Sequence, residues 1–216
     1  MKRLLFVLIM CLALSSVSLA EIMMTACPLG SGNWGLMLGS MLDQNYIDMG
    51  NTDVMYMDSV GYGINDKLDL YASCGLGYSQ KAAGKPRMMN SMTMSSVAAA
   101  LKYTLISEDL NIPASVAVNA GVRTCNMSMA TMTSTQYNVG LIVSKMIKQF
   151  TPYIGVNYRA TKQAYGDASQ MDYTIGTGIG PMERMVMIED TLQSITLLGA
   201  TFTSNQISAG ACFILN

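Results

Sequence analysis

The sequence predicts an all-β protein whose strands close into an antiparallel barrel that crosses a membrane. Three observations lead to this prediction: an N-terminal export signal, few charged residues, and hydrophobic residues at every second position. The chain has 216 residues, of which 12% are charged and 50% are hydrophobic. An average soluble domain carries about 25% charged residues. The composition therefore does not provide the charged surface of an ordinary soluble domain.

Residues 1–20 have the organisation of a secretory signal peptide. A basic pair precedes an apolar run at 4–14, and Ser18-Leu19-Ala20 provides the small residues of a cleavage site. The run is too short for a membrane-spanning helix, which needs about 20 apolar residues. We expect cleavage after Ala20, which leaves residues 21–216 as a single barrel domain. A lipoprotein is an alternative, because residues 24–27 loosely resemble a lipobox.

Strict alternation of apolar and small or polar residues runs through the rest of the chain. In 68–78, for example, leucines, alanine, cysteine and tyrosine occupy one face, while aspartate, serine and glycine occupy much of the other. This period of two is typical of β-strands. The ten predicted strands are 33–42, 51–63, 68–78, 93–104, 114–125, 135–145, 151–162, 172–186, 194–203 and 206–215. If 181–190 is not a strand, the alternative is a barrel of eight strands.

The face opposite the apolar one decides which side of the sheet points outward. It consists of Gly, Ala, Ser, Thr and Asn with an occasional charge, which suits a small polar interior better than a surface in water. Apolar-out, polar-in alternation is typical of transmembrane β-barrels. Such a sheet must close on itself, because hydrocarbon offers no partners to backbone amides.

The predicted connections between strands differ in length. Short turns are predicted at 65–67 and 106–113, with a longer loop at 80–92 between them. A further turn is predicted at 204–205.

Several segments resemble a known family. GYGINDKLDLYA at 61–72 resembles the strand–turn–strand unit of small Gram-negative outer-membrane β-barrels of the outer-membrane-protein-A and porin type. LKY at 101–103, PASV at 113–116, TPYIGV at 151–156 and ISAG at 207–210 are similar to later strands of such proteins. The resemblance implies short periplasmic turns, longer extracellular loops and a periplasmic N-terminus. It also implies contact with outer-membrane lipid and lipopolysaccharide, and insertion by the barrel assembly machinery.

Four charged residues are predicted to point into the barrel: Asp69, Lys102, Arg123 and Arg159. They are candidates to line a narrow ion pathway and to set its selectivity. The alternative is a network that fills the interior, because a barrel of about eight strands is just filled by its side chains and buried charges must pair.

Three basic residues in the longest predicted loop are candidates for surface contacts. Lys81, Lys85 and Arg87 would meet the phosphates of lipopolysaccharide, as basic side chains near an anionic membrane surface do. A solvated loop without a ligand is the alternative.

Methionine is unusually frequent, with 21 residues. Thioethers are soft ligands that suit Cu(I), and two predicted loops contain groups of them. The alternative is that methionine replaces Leu or Ile as a flexible apolar filler, which is the prediction for Met37, Met41, Met55 and Met57 in the strands. The Cu(I) candidates in the loops are Met88, Met89, Met92, Met94, Met127, Met129 and Met132.

The absence of histidine excludes several kinds of chemistry. Ser-His-Asp catalysis and His-ligated zinc or haem all require it. A net charge of −1 gives no reason to expect nucleic-acid binding. We predict neither enzymatic activity nor a cofactor. The predicted function is a structural or surface-interaction role in the outer membrane, with a small passive pore for ions or small solutes as the alternative and a periplasmic ligand-binding barrel as a third possibility.

Overall fold

The structure is a computed structural model that describes seven stretches of the chain. These are residues 25–45, 51–81, 92–109, 112–127, 132–163, 166–197 and 200–215. The predicted signal peptide at 1–20 lies outside the described residues.

Ten antiparallel strands form a closed barrel. Each strand pairs with its neighbours in sequence, and β1 pairs with β10 to close the sheet. The all-β prediction and the count of ten are therefore confirmed, and the alternative of eight strands is wrong. The strands are β1 (Trp34–Asn45), β2 (Asn51–Gly63), β3 (Leu68–Lys81), β4 (Met92–Ile106), β5 (Ser115–Met127), β6 (Met132–Ser144), β7 (Phe150–Gln163), β8 (Gly166–Ile179), β9 (Arg184–Leu197) and β10 (Ala200–Leu215).

One end of the barrel carries short turns, and we call it the turn end. The strand bounds place residues 64–67, 107–114, 145–149 and 180–183 there, together with the first residue of β1 and the last of β10. The connections at the opposite end lie outside the described residues, and the longest of them is 82–91. The described part of the chain contains no helix long and apolar enough to cross a membrane.

The alternation read from the sequence separates the two faces of the sheet. Inward positions are small, polar or charged over much of the wall, whereas outward positions are mostly aliphatic or aromatic and exposed. The main apolar cluster of buried side chains lies inside the barrel, where β1, β2 and β9 contribute methionines. Leu29, which precedes β1, packs against the same cluster.

The bounds of the last three strands differ from the prediction. The predicted strand 172–186 contains a tight turn: Gly180 has a φ of +122°, and the Arg184 N–H donates to the Pro181 carbonyl at 2.9 Å. Inward-facing Met185 and Met187 make both faces of early β9 apolar, which hid the alternation there. The predicted strand 194–203 is therefore wrong, since it spans the end of β9 and the start of β10.

The predicted turn at 204–205 is also wrong, because these residues lie within β10. Ser204 is buried and donates to the Gln193 side chain at 2.9 Å. Serine and asparagine favour turns when only local sequence is considered, but here a polar interior supplies the hydrogen-bond partner. β2 pairs without interruption with both neighbours, and Asp58 in its middle faces outward.

Candidate functional site: the barrel interior

The N-terminal segment, residues 25–33, enters the turn end of the barrel. Ala26, Cys27 and Leu29 are buried there. The backbone N–H of Ala26 donates to Ser144 Oγ at 3.1 Å, and the hydroxyl of Thr104 donates to the carbonyl of Ala26 at 3.0 Å. The segment therefore bonds to β4 and β6 and lies across the interior.

An ion pair inside the barrel holds the N-terminal segment. Lys102 Nζ lies 3.1 Å from Asp69 Oδ2, on directly opposed residues of β3 and β4. The ammonium also donates to the carbonyl oxygens of Cys27 at 2.6 Å and Thr25 at 3.1 Å. The carboxylate accepts from the Leu29 N–H at 3.2 Å. Each charged group thus bonds to the other and to the N-terminal segment.

These bonds replace the water that the charges of Lys102 and Asp69 lose when they are buried. Lys102 is 2% exposed and Asp69 is not exposed, so neither is solvated by bulk water. An ammonium has three donors, and here they reach Asp69 and two backbone carbonyls. The hydroxyl of Tyr71 donates to Asp69 at 3.3 Å, and its ring centroid lies 5.5 Å from Lys102 Nζ. A buried pair is tolerated only when its remaining bonds are satisfied in this way.

Glycine allows the N-terminal segment to approach the wall closely. A Cβ on Gly63 would lie 1.9 Å from the carbonyl oxygen of Gly30. The Gly32 N–H donates to the Gly63 carbonyl, and the Gly63 N–H donates to the Asn33 carbonyl, both at 2.9 Å. Gly30 and Gly32 have φ values of +84° and +79°, which favour glycine. The segment is therefore joined to the end of β2 through its backbone.

A second polar network crosses the interior between β7 and β9. Tyr153 donates to Glu189 Oε2 at 3.0 Å, and Thr191 donates to Glu189 Oε1 at 3.3 Å. A Cβ on Gly176 would lie 2.5 Å from the Tyr153 hydroxyl oxygen. The glycine of β8 therefore leaves the space through which the tyrosine reaches β9.

The two predicted arginines also have inward partners. Arg159 Nη2 lies 2.7 Å from Asp172 Oδ2, and Asp172 accepts a further bond from Gln170. Arg123 Nη2 lies 2.9 Å from Met57 Sδ. All four charged residues predicted to point inward do so, but they are not one cluster: Asp69 and Lys102 bond to each other, whereas Arg159 pairs with Asp172.

The surface-loop candidates fall largely outside the described residues. Lys85 and Arg87 lie in the stretch 82–91, and Lys81 ends β3 with a side chain that is not described. The candidates therefore remain sequence predictions.

Four of the seven Cu(I) candidates lie in strands and not in loops. Met92 and Met94 are part of β4, and Met127 and Met132 are paired at the ends of β5 and β6. Met94 packs against the interior apolar cluster. Met88, Met89 and Met129 lie outside the described residues.

The sequence reasoning missed the N-terminal segment and two interior carboxylates. Residues 24–27 were interpreted only as a weak lipobox, although the glycines at 30 and 32 signal an irregular backbone before β1. Glu189 lies between the predicted strands 172–186 and 194–203, and Asp172 is the first residue of a predicted strand. Correct alternation through β9 places Glu189 inside, between inward Met187 and Thr191.

Solved structures show the same fold. The β domain of the Bordetella autotransporter BrkA superposes with a TM-score of 0.54 and 11% identity, over 86% of this chain and 100% of that chain. The chain has the fold of bacterial outer-membrane β-barrels. A bacterial polysaccharide outer-membrane secretin gives a TM-score of 0.52 and 11% identity, over 85% of this chain and 66% of that one. No family model and no curated protein matches the sequence. The resemblance in fold that the sequence predicted is confirmed, and identities this low bear on the fold alone.

Proposed function

We propose that this protein is a closed, non-enzymatic barrel of the outer membrane with a structural or surface-interaction role. The observation that carries the proposal is the N-terminal segment, which lies inside the barrel and bonds to Lys102 and Asp69. In an open channel, the charged side chains of the lumen would contact water. Here Asp69, Asp172 and Glu189 are at most 1% exposed, which supports a filled interior over the alternative of a passive pore.

The outer surface supports a location in a membrane. Exposed aromatic side chains lie at the turn end, and a second set lies farther along the strands. Phe150 and Tyr158, both exposed, are eight positions apart in β7, which corresponds to about 20 Å along the axis of a tilted barrel. Transmembrane barrels carry an apolar band of about 25 Å between aromatic girdles. The exposed aliphatic residues of this band include Val60, Leu70, Leu101, Val122, Leu141, Val156, Ile175 and Ile188.

The same surface disfavours a soluble ligand-binding barrel, because water would meet an almost continuous apolar wall. Two outward acidic residues, Asp58 and Asp190, interrupt the wall; aspartate is tolerated better than lysine or arginine on the lipid face of such barrels. The buried position of Cys27 argues against the lipoprotein alternative. Its Sγ lies within 3.9 Å of Ser115 and Ser144 hydroxyls inside the barrel.

Single-channel conductance tests the closed barrel. The full mature chain, refolded and shown to be folded by its slower migration after boiling, is compared in planar bilayers with a variant that lacks residues 25–32. We expect no stepwise current from the full chain and clear steps from the variant. Steps from the full chain would overturn the proposal and favour the small pore. Silence from both, with both folded, would show that the segment is not what closes the barrel.

Cell fractionation tests the location. We expect the protein in the outer-membrane fraction, resistant to carbonate extraction. Release with the periplasmic contents would contradict the proposal and favour the soluble barrel.

A further inference from the structure

A small cavity beneath the N-terminal segment has an unusual lining. Its volume is about 30 Å³, and it lies between the segment and the inner wall formed by β9, β10 and β1. Sulfur-bearing side chains surround it on several sides. They are Cys27, Met37, Met182, Met185, Met187 and Cys212.

The register of the sheet brings these side chains together. Met185 of β9 is directly opposite Cys212 of β10, and Cys212 is directly opposite Met37 of β1. Side chains directly opposed on one face of a sheet have Cβ atoms about 4.5–5.5 Å apart. Met187 occupies the next inward position of β9, and Met182 reaches the cavity from the 180–183 turn. Met37 and Cys212 are 175 positions apart in the sequence, so only the closed barrel brings them together.

The chemistry of this lining favours one kind of ligand. Thioether and thiol sulfur are soft ligands that select Cu(I). Hard ions such as Ca²⁺ and Mg²⁺ require several oxygen ligands, and the described residues contain no group of three His, Cys, Asp or Glu able to hold a metal. Lys102 also borders the cavity, but Asp69 lies 3.1 Å from its ammonium and balances that charge.

The size of the cavity suits a single bare ion. A cavity needs about 10–15 Å³ to hold one water molecule, and this one has about 30 Å³, which is room for an ion or for one or two water molecules. We propose that the cavity binds one soft monovalent cation of the Cu(I) type, with Met37, Met185, Met187 and Cys212 as candidate ligands. This assignment goes beyond the role of the barrel in the membrane and does not depend on whether the barrel conducts.

The proposed site differs from the methionine groups near the loops, and the chain provides matched controls. Met41 and Met55 also face inward and are buried, but they do not border the cavity. Met57 lies inside as well, with its sulfur 2.9 Å from Arg123. Met88 and Met89 belong to the loop group predicted from sequence. Leucine resembles methionine in volume, so Met→Leu changes preserve packing while removing the sulfur.

Anaerobic Cu(I) titration of the refolded full chain against a chromogenic Cu(I) chelator tests the proposal. We expect one Cu(I) per chain and an X-ray absorption spectrum with sulfur as the nearest scatterer. Met185→Leu, Met37→Leu and Cys212→Ser should each weaken binding by roughly tenfold or more. The Met41→Leu/Met55→Leu and Met88→Leu/Met89→Leu variants should bind as the unaltered chain does.

Three results would overturn the assignment. One is no stoichiometric binding by the unaltered chain. Another is binding that persists in all three cavity variants, and the third is binding that is lost in the Met88→Leu/Met89→Leu variant. The absorption spectrum of the unaltered chain keeps the test decisive if a cavity variant fails to refold, because nitrogen or oxygen as the nearest scatterer would exclude the sulfur site.

Discussion

Lys102 and Asp69 form an ion pair of 3.1 Å that also binds a segment more than 35 residues away in sequence. Lys102 donates to the carbonyls of Thr25 and Cys27, and Asp69 accepts from the N–H of Leu29. The pair therefore joins β3 to β4 and both strands to the N-terminal segment. Two charges that the sequence predicted to point inward thus hold a segment that the sequence did not predict inside the barrel.

Replacement of Lys102 tests the energetic role of this pair. Lys102→Met leaves the carboxylate of Asp69 buried without its cation, and loss of one partner from a buried ion pair costs about 3–5 kcal/mol. We expect the free energy of unfolding in lipid vesicles, measured by urea titration, to fall by an amount of that order. The double variant Lys102→Met/Asp69→Asn should recover much of the loss, since no unpaired charge remains. Equal loss in the single and double variants would argue against this account.

Substitution of Gly63 should displace the N-terminal segment. A Cβ at this position would lie 1.9 Å from the Gly30 carbonyl oxygen, so the backbone of the N-terminal segment must shift to admit it. In Gly63→Ala we expect Cys27 to react with a maleimide in the folded barrel, as mass spectrometry of its peptide will show. Ala72→Val adds bulk on the outer face of the neighbouring strand and should leave Cys27 protected. Continued protection in Gly63→Ala would mean that the segment adapts to the added methyl group.

The bond from Tyr153 to Glu189 should contribute measurably to stability. Tyr153→Phe removes a donor from a buried carboxyl group, and an unsatisfied buried polar group costs about 1–3 kcal/mol. We expect a loss of that order in urea unfolding. Tyr158→Phe is the matched control, because Tyr158 faces outward on the same strand and is exposed. Similar effects of the two changes would show that the Glu189 bond contributes nothing specific.

The proposed membrane-facing surface can be tested with a single charge. Val139 is exposed on the outer face near the middle of β6, where arginine in a bilayer costs about 2–4 kcal/mol. We expect Val139→Arg to lower stability in vesicles by that amount. Thr133→Arg, at the loop end of the same strand, should cost much less. No difference between the two would argue against burial of this face in lipid.

Interior charge should govern ion selectivity once the barrel is opened. In the variant that lacks residues 25–32, Arg123→Ala removes a positive charge from the lumen, so we expect reversal potentials to shift toward cation selectivity. Asn138→Ala changes the same face of the neighbouring strand without changing charge and should leave the reversal potential in place. An unchanged reversal potential in Arg123→Ala would show that this side chain does not border the ion path.

The fold could be predicted because a strand carries its own signature. Alternation with period two identifies both the strand and its two faces without knowledge of any partner. It succeeded where the inward residues are small or polar, as in β3 and β5. It failed in early β9, where inward methionines removed the contrast, and at Ser204, whose turn preference gave way to a hydrogen bond inside the barrel.

The sequence by itself determined the barrel fold and the inward direction of Asp69, Lys102, Arg123 and Arg159. It also predicts an export signal at residues 1–20. Each of these follows from residue type and local spacing. Only the tertiary structure decided which charges meet, that residues 25–33 enter the lumen, and that Met37, Met185 and Cys212 border one cavity. Those contacts depend on strand register and on closure between β1 and β10, which bring together residues far apart in the chain. Contacts of this kind leave no pattern in the local sequence.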